Sequence, residues 1–456
     1  MGRKEKIVEI EIQKVLYPNI SIGEYEGKKV KLKGGIEGQK IKAKIVRRRK
    51  DYDEAKILEV LDKSPLEKIE GCPHKHLCGG CTYQSLTYDD ELELKNRQIR
   101  ELFEKENIQL DDFEILSSPR VTEYRNKMEY TFGDEGKDTS LSLGLHIKGR
   151  IFEVVNTDYC NIVDKDFTKI RDCVRKYFLD LNYPYYNTRS HEGFLRHLVI
   201  RKALSTGEIL VNLVTTSTMD FIKEDFIKLL LSIELSGNIV GIIHTVNDGL
   251  ADVVKADKIE ILYGKDYITE NIMGLNFKIS PFSFFQTNTF GAEKLYETAM
   301  NFVKNIEGKT IFDLYSGTGT IAQIMAKKAK KVIGIEIVEE AVKMAKENAE
   351  FNNFTNVEFI AGDVLEKIEN INIKPDLVVL DPPRDGIHPK AIGKIIEYKP
   401  KEFLYISCNP VTLVRDIKIF NENGYKLDKV KCVDMFPRTN HVESIILMTY
   451  CGSEEK

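Results

Sequence analysis

Four short segments carry residue types able to do covalent or acid–base chemistry. Ser407-Cys408-Asn409-Pro410 and Asp381-Pro382-Pro383-Arg384 each follow an apolar run, Phe436-Pro437-Arg438-Thr439-Asn440-His441-Val442-Glu443 ends in a carboxylate, and Asp313-Leu314-Tyr315-Ser316-Gly317-Thr318-Gly319-Thr320 is a glycine-rich turn. A free cysteine is most often a buried core thiol. Cys408, between Ser and Asn-Pro at the lip of a sheet, is better placed as a nucleophile. Glu443 reads either as a solvated loop carboxylate or as a base delivered to the same cleft. The glycines let the backbone approach a ligand and turn tightly into a helix. Glu336, nineteen residues past Gly317, can accept hydrogen bonds from two ribose hydroxyls, and Asp363 can reach an adenine. A nucleoside cofactor is implied. Gly317-x-Gly319-x-x-Ala322 also satisfies the looser dinucleotide fingerprint, so this loop alone leaves NAD and S-adenosylmethionine equally open. Hydride transfer has no use for a cysteine at a strand end, and Cys408 favours the methyl donor.

A second set is metal-like. Cys72-x5-Cys78-x2-Cys81, with Gly79 and Gly80 allowing a tight wrap, needs a fourth soft ligand, and Cys160 in Asp158-Tyr159-Cys160-Asn161 can supply it. Spacing alone leaves an iron–sulfur cluster, a zinc site recruiting His74 or His76, and coincidence open. Cys173 on a helix, Cys432 in a strand and Cys451 at the tail read as structural.

The elements that must hold these residues follow from periodicity. Strand-like segments at Thr310–Tyr315, Lys331–Glu336, Val357–Ala361, Leu377–Leu380 and Phe403–Ser407 alternate with helical ones such as Glu339–Phe351 and Val411–Asn423. Such alternation predicts a doubly wound α/β sheet with ligands at strand carboxyl ends, closed by an antiparallel pair at Lys426–Asp434 and Ser444–Tyr450. The middle reads as α+β, with strands at Tyr124–Phe132, Leu141–Ile147, Leu195–Lys202, Ile209–Thr215 and Ile239–Val246 and helices near Leu86–Glu106, Asp166–Leu181 and Asp220–Ile233. The N-terminal end differs in charge: residues 1–60 hold 16 Lys or Arg against 10 Asp or Glu in a chain of formal charge -4. Lys29-Val30-Lys31-Leu32-Lys33 and Lys40-Ile41-Lys42-Ala43-Lys44-Ile45 have the period-2 pattern of half-buried strands and predict a small basic β-barrel. Its cationic face is either a solvated charge run or a nucleic-acid surface. Three domains are expected within the 456 residues: 1–62, 63–279 and 280–456. With 42% hydrophobic and 30% charged residues, disordered and collagen-like classes are excluded. No apolar run approaches the ~18 residues of a membrane span. The opening MGRKEK has no apolar leader, which points to the cytoplasm and to thiols rather than disulfides.

The Ser-Cys-Asn-Pro, Asp-Pro-Pro-Arg and F-P-x-T-x-H-V-E segments, together with Phe284-Phe285-Gln286-Thr287-Asn288, closely resemble the RNA uracil-5-methyltransferases, which make 5-methyluridine in tRNA or ribosomal RNA from S-adenosylmethionine. The resemblance runs over essentially the whole chain and includes Tyr124-Arg125-Asn126-Lys127. Adenine amino-methyltransferases usually follow Asp-Pro-Pro with an aromatic residue, where this chain has Arg384. By resemblance, Gln286, Tyr315, Glu336 and Asp381 are cofactor contacts with Asp363 beside them, Cys408 is the nucleophile and Glu443 the base. The basic barrel resembles a TRAM domain, and Cys72, Cys78, Cys81 and Cys160 match the family's 4Fe-4S set. The expected chemistry is thiolate addition to carbon-6, methyl transfer to carbon-5 and proton loss before elimination, on a uridine flipped out or already looped. The helix after Cys408 is expected to favour its thiolate. The pairing of barrel and cysteine set resembles the 23S ribosomal RNA branch more than the shorter tRNA enzymes. Tyr315–Thr320 departs from the aromatic-cysteine-glycine loop of many relatives. A non-catalytic RNA-binding protein and an NAD-dependent oxidoreductase are the rival readings.

Overall fold

The computed structural model describes residues 6–136, 139–368 and 371–452. The start of the MGRKEK stretch, read as lacking a leader, lies outside the described residues. The N-terminal strands β1 (Lys6–Glu11), β2 (Lys14–Leu16), β3 (Ile20–Tyr25), β4 (Lys28–Lys33), β5 (Lys40–Arg48) and β6 (Asp53–Asp62) form one curled sheet in the order β1-β5-β6-β4-β3-β2. The alternation is as expected: Val30, Leu32, Ile41 and Ala43 are buried with Val8, Ile10 and Val15, while Lys29, Lys33, Lys40 and Lys42 are exposed.

Helix α1 (Tyr88–Lys105) starts at Thr87, whose side chain accepts the Asp90 N–H, with Asp89, Asp90 and Glu91 in the first turn. A two-residue strand, β7 (Ile115–Leu116), follows it. The central sheet then forms from β8 (Lys127–Gly133), β9 (Ser142–Ile147), β10 (Arg150–Asn156), β11 (Leu195–Lys202), β12 (Glu208–Thr215), β13 (Asn238–Val246) and β14 (Lys258–Gly264) in the order β10-β9-β8-β11-β12-β13-β14. Helices α2 (Lys165–Asp180) and α3 (Lys223–Leu231) cover it, with Phe167, Val174, Phe178 and Phe226 in its core. The strand expected from Tyr124 begins only at Lys127. Arg125 donates its N–H to the carbonyl of Ile162 and Asn126 to that of Thr287, so the preceding residues tie loops together instead of joining the ladder.

The C-terminal unit opens with a hairpin not foreseen in the sequence, β15 (Ile268–Ile272) and β16 (Leu275–Ile279), turned at Met273 (φ 49°) and Gly274 (φ 79°). Ile268, Ile272, Leu275 and Phe277 pack into the core of the following sheet, although they precede the expected boundary near Ile279. Next come α4 (Thr289–Phe302), β17 (Thr310–Leu314), α5 (Thr320–Ala326), β18 (Lys331–Glu336), α6 (Glu339–Phe351), β19 (Val357–Ala361), α7 (Val364–Ile368), β20 (Leu377–Leu380), α8 (Pro389–Glu397), β21 (Glu402–Ser407), α9 (Pro410–Glu422), β22 (Tyr425–Val433) and β23 (Glu443–Tyr450). The order β19-β18-β17-β20-β21-β23-β22-β7 is parallel through β21, with β23 antiparallel to both neighbours. Strand order reverses between β17 and β20, the topological switch point at whose carboxyl side α/β sheets bind ligands. Among the described residues no helix is long and apolar enough to cross a membrane.

Candidate functional site

The glycine loop joins β17 to α5 at that switch point. Tyr315 takes φ 67° and Gly317 φ 53°, and Gly319 at φ 76° caps α5. A β-carbon on Gly319 would lie 2.4 Å from the Phe359 ring, so this turn admits only glycine. Glu336, at the end of β18, accepts the Gly317 N–H at 2.9 Å and the Val338 N–H at 3.0 Å. Asp363, after β19, accepts the Leu365 N–H at 2.7 Å at the start of α7. The loop's other wall is the Phe284–Asn288 segment. Phe284, 70% exposed, overhangs Gly317, and its carbonyl accepts from Thr318 Oγ1 at 3.2 Å. Asn126 donates to the carbonyl of Gln286 at 3.1 Å and to Thr289 Oγ1 at 2.9 Å, joining the central sheet to this wall.

Beside the loop, the ends of β20, β21 and β23 bring Asp381, Cys408 and Glu443 near enough for their charges to act on one another, at the lip of the sheet's cleft side. Glu443 is buried, and its carboxyl is pushed up to about 8 by burial first and by the Asp381 charge next, against the pull of Arg384. Burial raises Asp381 to about 7. Asp313, fully buried at the base of the loop, also sits well above the carboxylate range because of burial and of Asp381, with the Ala322 N–H pulling the other way. The Tyr296 phenol lies among Asp381, Glu443, Asp313 and Gln286. Cys408 does not show the expected thiolate bias. Burial and then the Glu443 and Asp381 charges push the thiol up to about 11, with Arg384 opposing them. The α9 N-terminus is capped by Asn409, whose side chain accepts the Val411 N–H. The structure thus gathers Gln286, Asp381, Cys408 and Glu443, with Tyr315, Glu336 and Asp363 along the adjoining strand ends. Arg384, Asp313 and Tyr296 join them. Arg384 and Asp313 stand in the quoted Asp-Pro-Pro-Arg and glycine-loop segments, whereas Tyr296 lies in α4, in a helical run that carried no signal.

The loop that delivers Glu443 is clasped by α1 and its flank. Lys95, fully buried, bridges Glu91 at 2.7 Å and Asp434 at 2.8 Å. Arg438 donates its N–H to Glu91 at 2.7 Å and Nη1 to the carbonyl of Leu86 at 2.8 Å, while its own carbonyl accepts from Thr82 and Tyr83. Tyr124 Oη donates to the carbonyl of Pro437 at 2.8 Å, and Asn288 Nδ2 to that of Met435 at 2.6 Å.

Cys72, Cys78, Cys81 and Cys160 are free thiols near enough for their charges to oppose one another. Burial pushes all four up, Cys81 to about 12 and Cys160 to about 11. Donors already face the sulfurs: the Gly80 N–H to Cys78 at 3.3 Å and Gln84 Nε2 to Cys81 at 3.4 Å. Cys78 and Cys81 thus have the N–H donors behind sulfur that thiolate ligands commonly have. Among the described residues, however, no three His, Cys, Asp or Glu side chains gather as a set that could hold a metal ion. His74 is engaged elsewhere, with Nε2 2.6 Å from Asp158.

Comparison with known proteins agrees with this geometry. Residues 87–450 match the family described as tRNA (Uracil-5-)-methyltransferase. An uncharacterized RNA methyltransferase of Clostridium tetani is 51% identical over 97% of this chain and 98% of its own length, and one of Bacteroides thetaiotaomicron is 35% identical over 91% and 95%. The crystal structure of the Pyrococcus abyssi tRNA (uracil-54, C5)-methyltransferase, in complex with S-adenosyl-L-homocysteine, superposes with TM-score 0.75 and 28% identity over 96% of this chain and 100% of that one. The cleft at the switch point, with a cysteine and a carboxyl at its strand ends, is therefore that of an enzyme, and the chain belongs to the RNA (uracil-5-)-methyltransferase family.

Proposed function

We propose that the protein methylates carbon-5 of a specific uridine in RNA through a covalent bond between Cys408 and carbon-6 of the base. The observation that carries this reading is the meeting of Cys408 and Glu443 in one cleft beside the glycine loop. S-adenosylmethionine supplies the methyl group; Gln286, Tyr315, Glu336, Asp363 and Asp381 hold it. Carbon-5 of uracil is a weak nucleophile until a thiolate adds to carbon-6 and moves electron density onto carbon-5 and the adjoining carbonyl. Cys408 must lose its proton for that addition, and Arg384 is the neighbour that favours the thiolate. After methylation carbon-5 carries both methyl and hydrogen. Glu443 then takes the hydrogen as a proton, the electron pair re-forms the double bond, and the carbon–sulfur bond breaks to regenerate the thiolate. A carboxyl raised to about 8 is a stronger base, once ionised, than an ordinary one. Calorimetry should show S-adenosylhomocysteine binding and none for NADH; NADH binding would restore the oxidoreductase reading. Mapping 5-methyluridine in RNA from a deletion strain should reveal one or more lost sites.

For the substrate, the curled basic sheet and the cysteine set support 23S ribosomal RNA, with the sheet acting as a TRAM domain. A tRNA substrate is favoured by the Pyrococcus abyssi enzyme, whose match covers 96% of this chain. The deletion-strain map separates the two. The eight free thiols suit the reducing cytoplasm.

The same proposal gives Cys72, Cys78, Cys81 and Cys160 a 4Fe-4S cluster. A cluster spaces its thiolates further apart than a single ion does, and N–H donors to sulfur are the usual means of tuning it. Protein purified without air should be brown, with broad absorption near ~400 nm from thiolate-to-iron charge transfer. Stoichiometric zinc without iron in the same material would overturn the assignment.

A further inference from the structure

The turn between β2 and β3 leaves its own sheet and docks on the catalytic unit. It is held from two sides. Gln98 of α1 donates from Nε2 to the carbonyl of Val15 at 3.1 Å, and Asn440, three residues before Glu443, donates from Nδ2 to the carbonyl of Pro18. Lys14 pairs with Glu101 at 2.8 Å and Arg97 with Glu37 at 2.6 Å, which adds two ion pairs between the sheet and α1. The Asn19 N–H closes the turn onto the carbonyl of Leu16 at 2.9 Å. Tyr17, at the tip, is half-buried, and its ring packs against the apolar cluster that includes Val442, the residue before Glu443, and Cys432 of β22, which pairs with Ser444. Glu443, Cys432, Cys408 and Arg384 all lie near enough for their charges to act on the phenol, and burial above all keeps it protonated. A neutral phenol held there is a hydrogen-bond donor beside both the proposed nucleophile and the proposed base.

We propose that Tyr17, contributed by the N-terminal sheet, is a catalytic residue of the cleft: its hydroxyl donates a hydrogen bond to the 4-carbonyl oxygen of the flipped uracil. This rests on the uracil reading above. Negative charge moves onto that oxygen when Cys408 adds to carbon-6, so a donor fixed in place beforehand favours the addition step over substrate binding. The N-terminal sheet would then take part in the reaction as well as in holding RNA.

The test uses full-length enzyme, S-adenosylmethionine and 5-fluorouridine-substituted transcripts of ribosomal RNA and tRNA. Fluorine replaces the hydrogen that Glu443 would remove, so the Cys408 adduct accumulates and can be counted on a denaturing gel. Wild-type enzyme should form it. Tyr17→Phe, which keeps the ring and its packing, should form it about tenfold more slowly at saturating RNA, with half-saturation and S-adenosylhomocysteine affinity unchanged. Tyr17→Ala should be at least as slow. Equal rates for wild type and Tyr17→Phe would overturn the role of Tyr17 and leave the uracil reading intact. A defect confined to half-saturation would also overturn it, making the residue a docking contact. No adduct from wild-type enzyme on any transcript would remove the uracil reading and Tyr17's role with it.

Discussion

Cys408→Ala should lower methyl transfer at least about a thousandfold and form no covalent adduct, while still binding RNA and S-adenosylhomocysteine, because carbon-5 never becomes nucleophilic. Glu443→Gln should fail later. It keeps the side chain's shape but cannot take the proton, so one methylation proceeds and the enzyme stays attached through Cys408 to methylated RNA. A denaturing gel should show this species as a slow band carrying label from both RNA and methyl donor. The wild-type resolution step should also depend on pH. Glu443 is mostly protonated below about 8 and ionised above it, so release of product should quicken as pH rises and level off past that point. Normal turnover by Glu443→Gln would assign the base elsewhere, and an adduct from Cys408→Ala would displace the nucleophile.

Lys95→Met should destabilise the fold by about 3 kcal/mol, since it leaves Glu91 and Asp434 buried without the cation between them. Activity should fall beyond the loss in folded fraction, because the same clasp holds the loop that ends in Glu443. Removing the charge of the triad at once, in Glu91→Gln with Lys95→Met and Asp434→Asn, should recover most of the thermal transition temperature. Arg438, which also bonds to Glu91, remains and limits the recovery. A single mutant melting with wild type would mean that the triad carries no net stability.

The chemistry was legible in the sequence wherever it sat at the carboxyl end of a regular strand. Lys331–Glu336, Val357–Ala361 and Leu377–Leu380 have the bounds that periodicity gave them, and the motifs follow their strands as a parallel sheet requires. What could not be read were features set by distant pairing. The two residues of β7 have no period of their own and become a strand only because β22 offers an open edge. Lys95 sits in a polar helical run, and nothing local separates it from a solvated lysine until Asp434 arrives to bury it. The ionisation of Cys408 is illegible for a related reason: the helix after it is adjacent in sequence, whereas the burial that chiefly raises its thiol, and the Glu443 and Asp381 beside it, come from other strands. Tyr17, in an unremarkable turn, acquires its surroundings from α1 and from the loop ending at Glu443.

The clasp around that loop also fixes when the protein can first act during its synthesis. Asn440 and Pro18 stand 422 positions apart, Arg438 and Glu91 347, and Lys95 and Asp434 339. As the chain leaves the ribosome, the N-terminal and central sheets have all their strands and can fold early. Strand β23, though, must insert between β21 and β22, and it is the last to emerge. A nascent chain therefore has its basic face long before β23 brings Glu443 beside Cys408, and a chain cut short by even the final strand would keep that face and lose the proposed base.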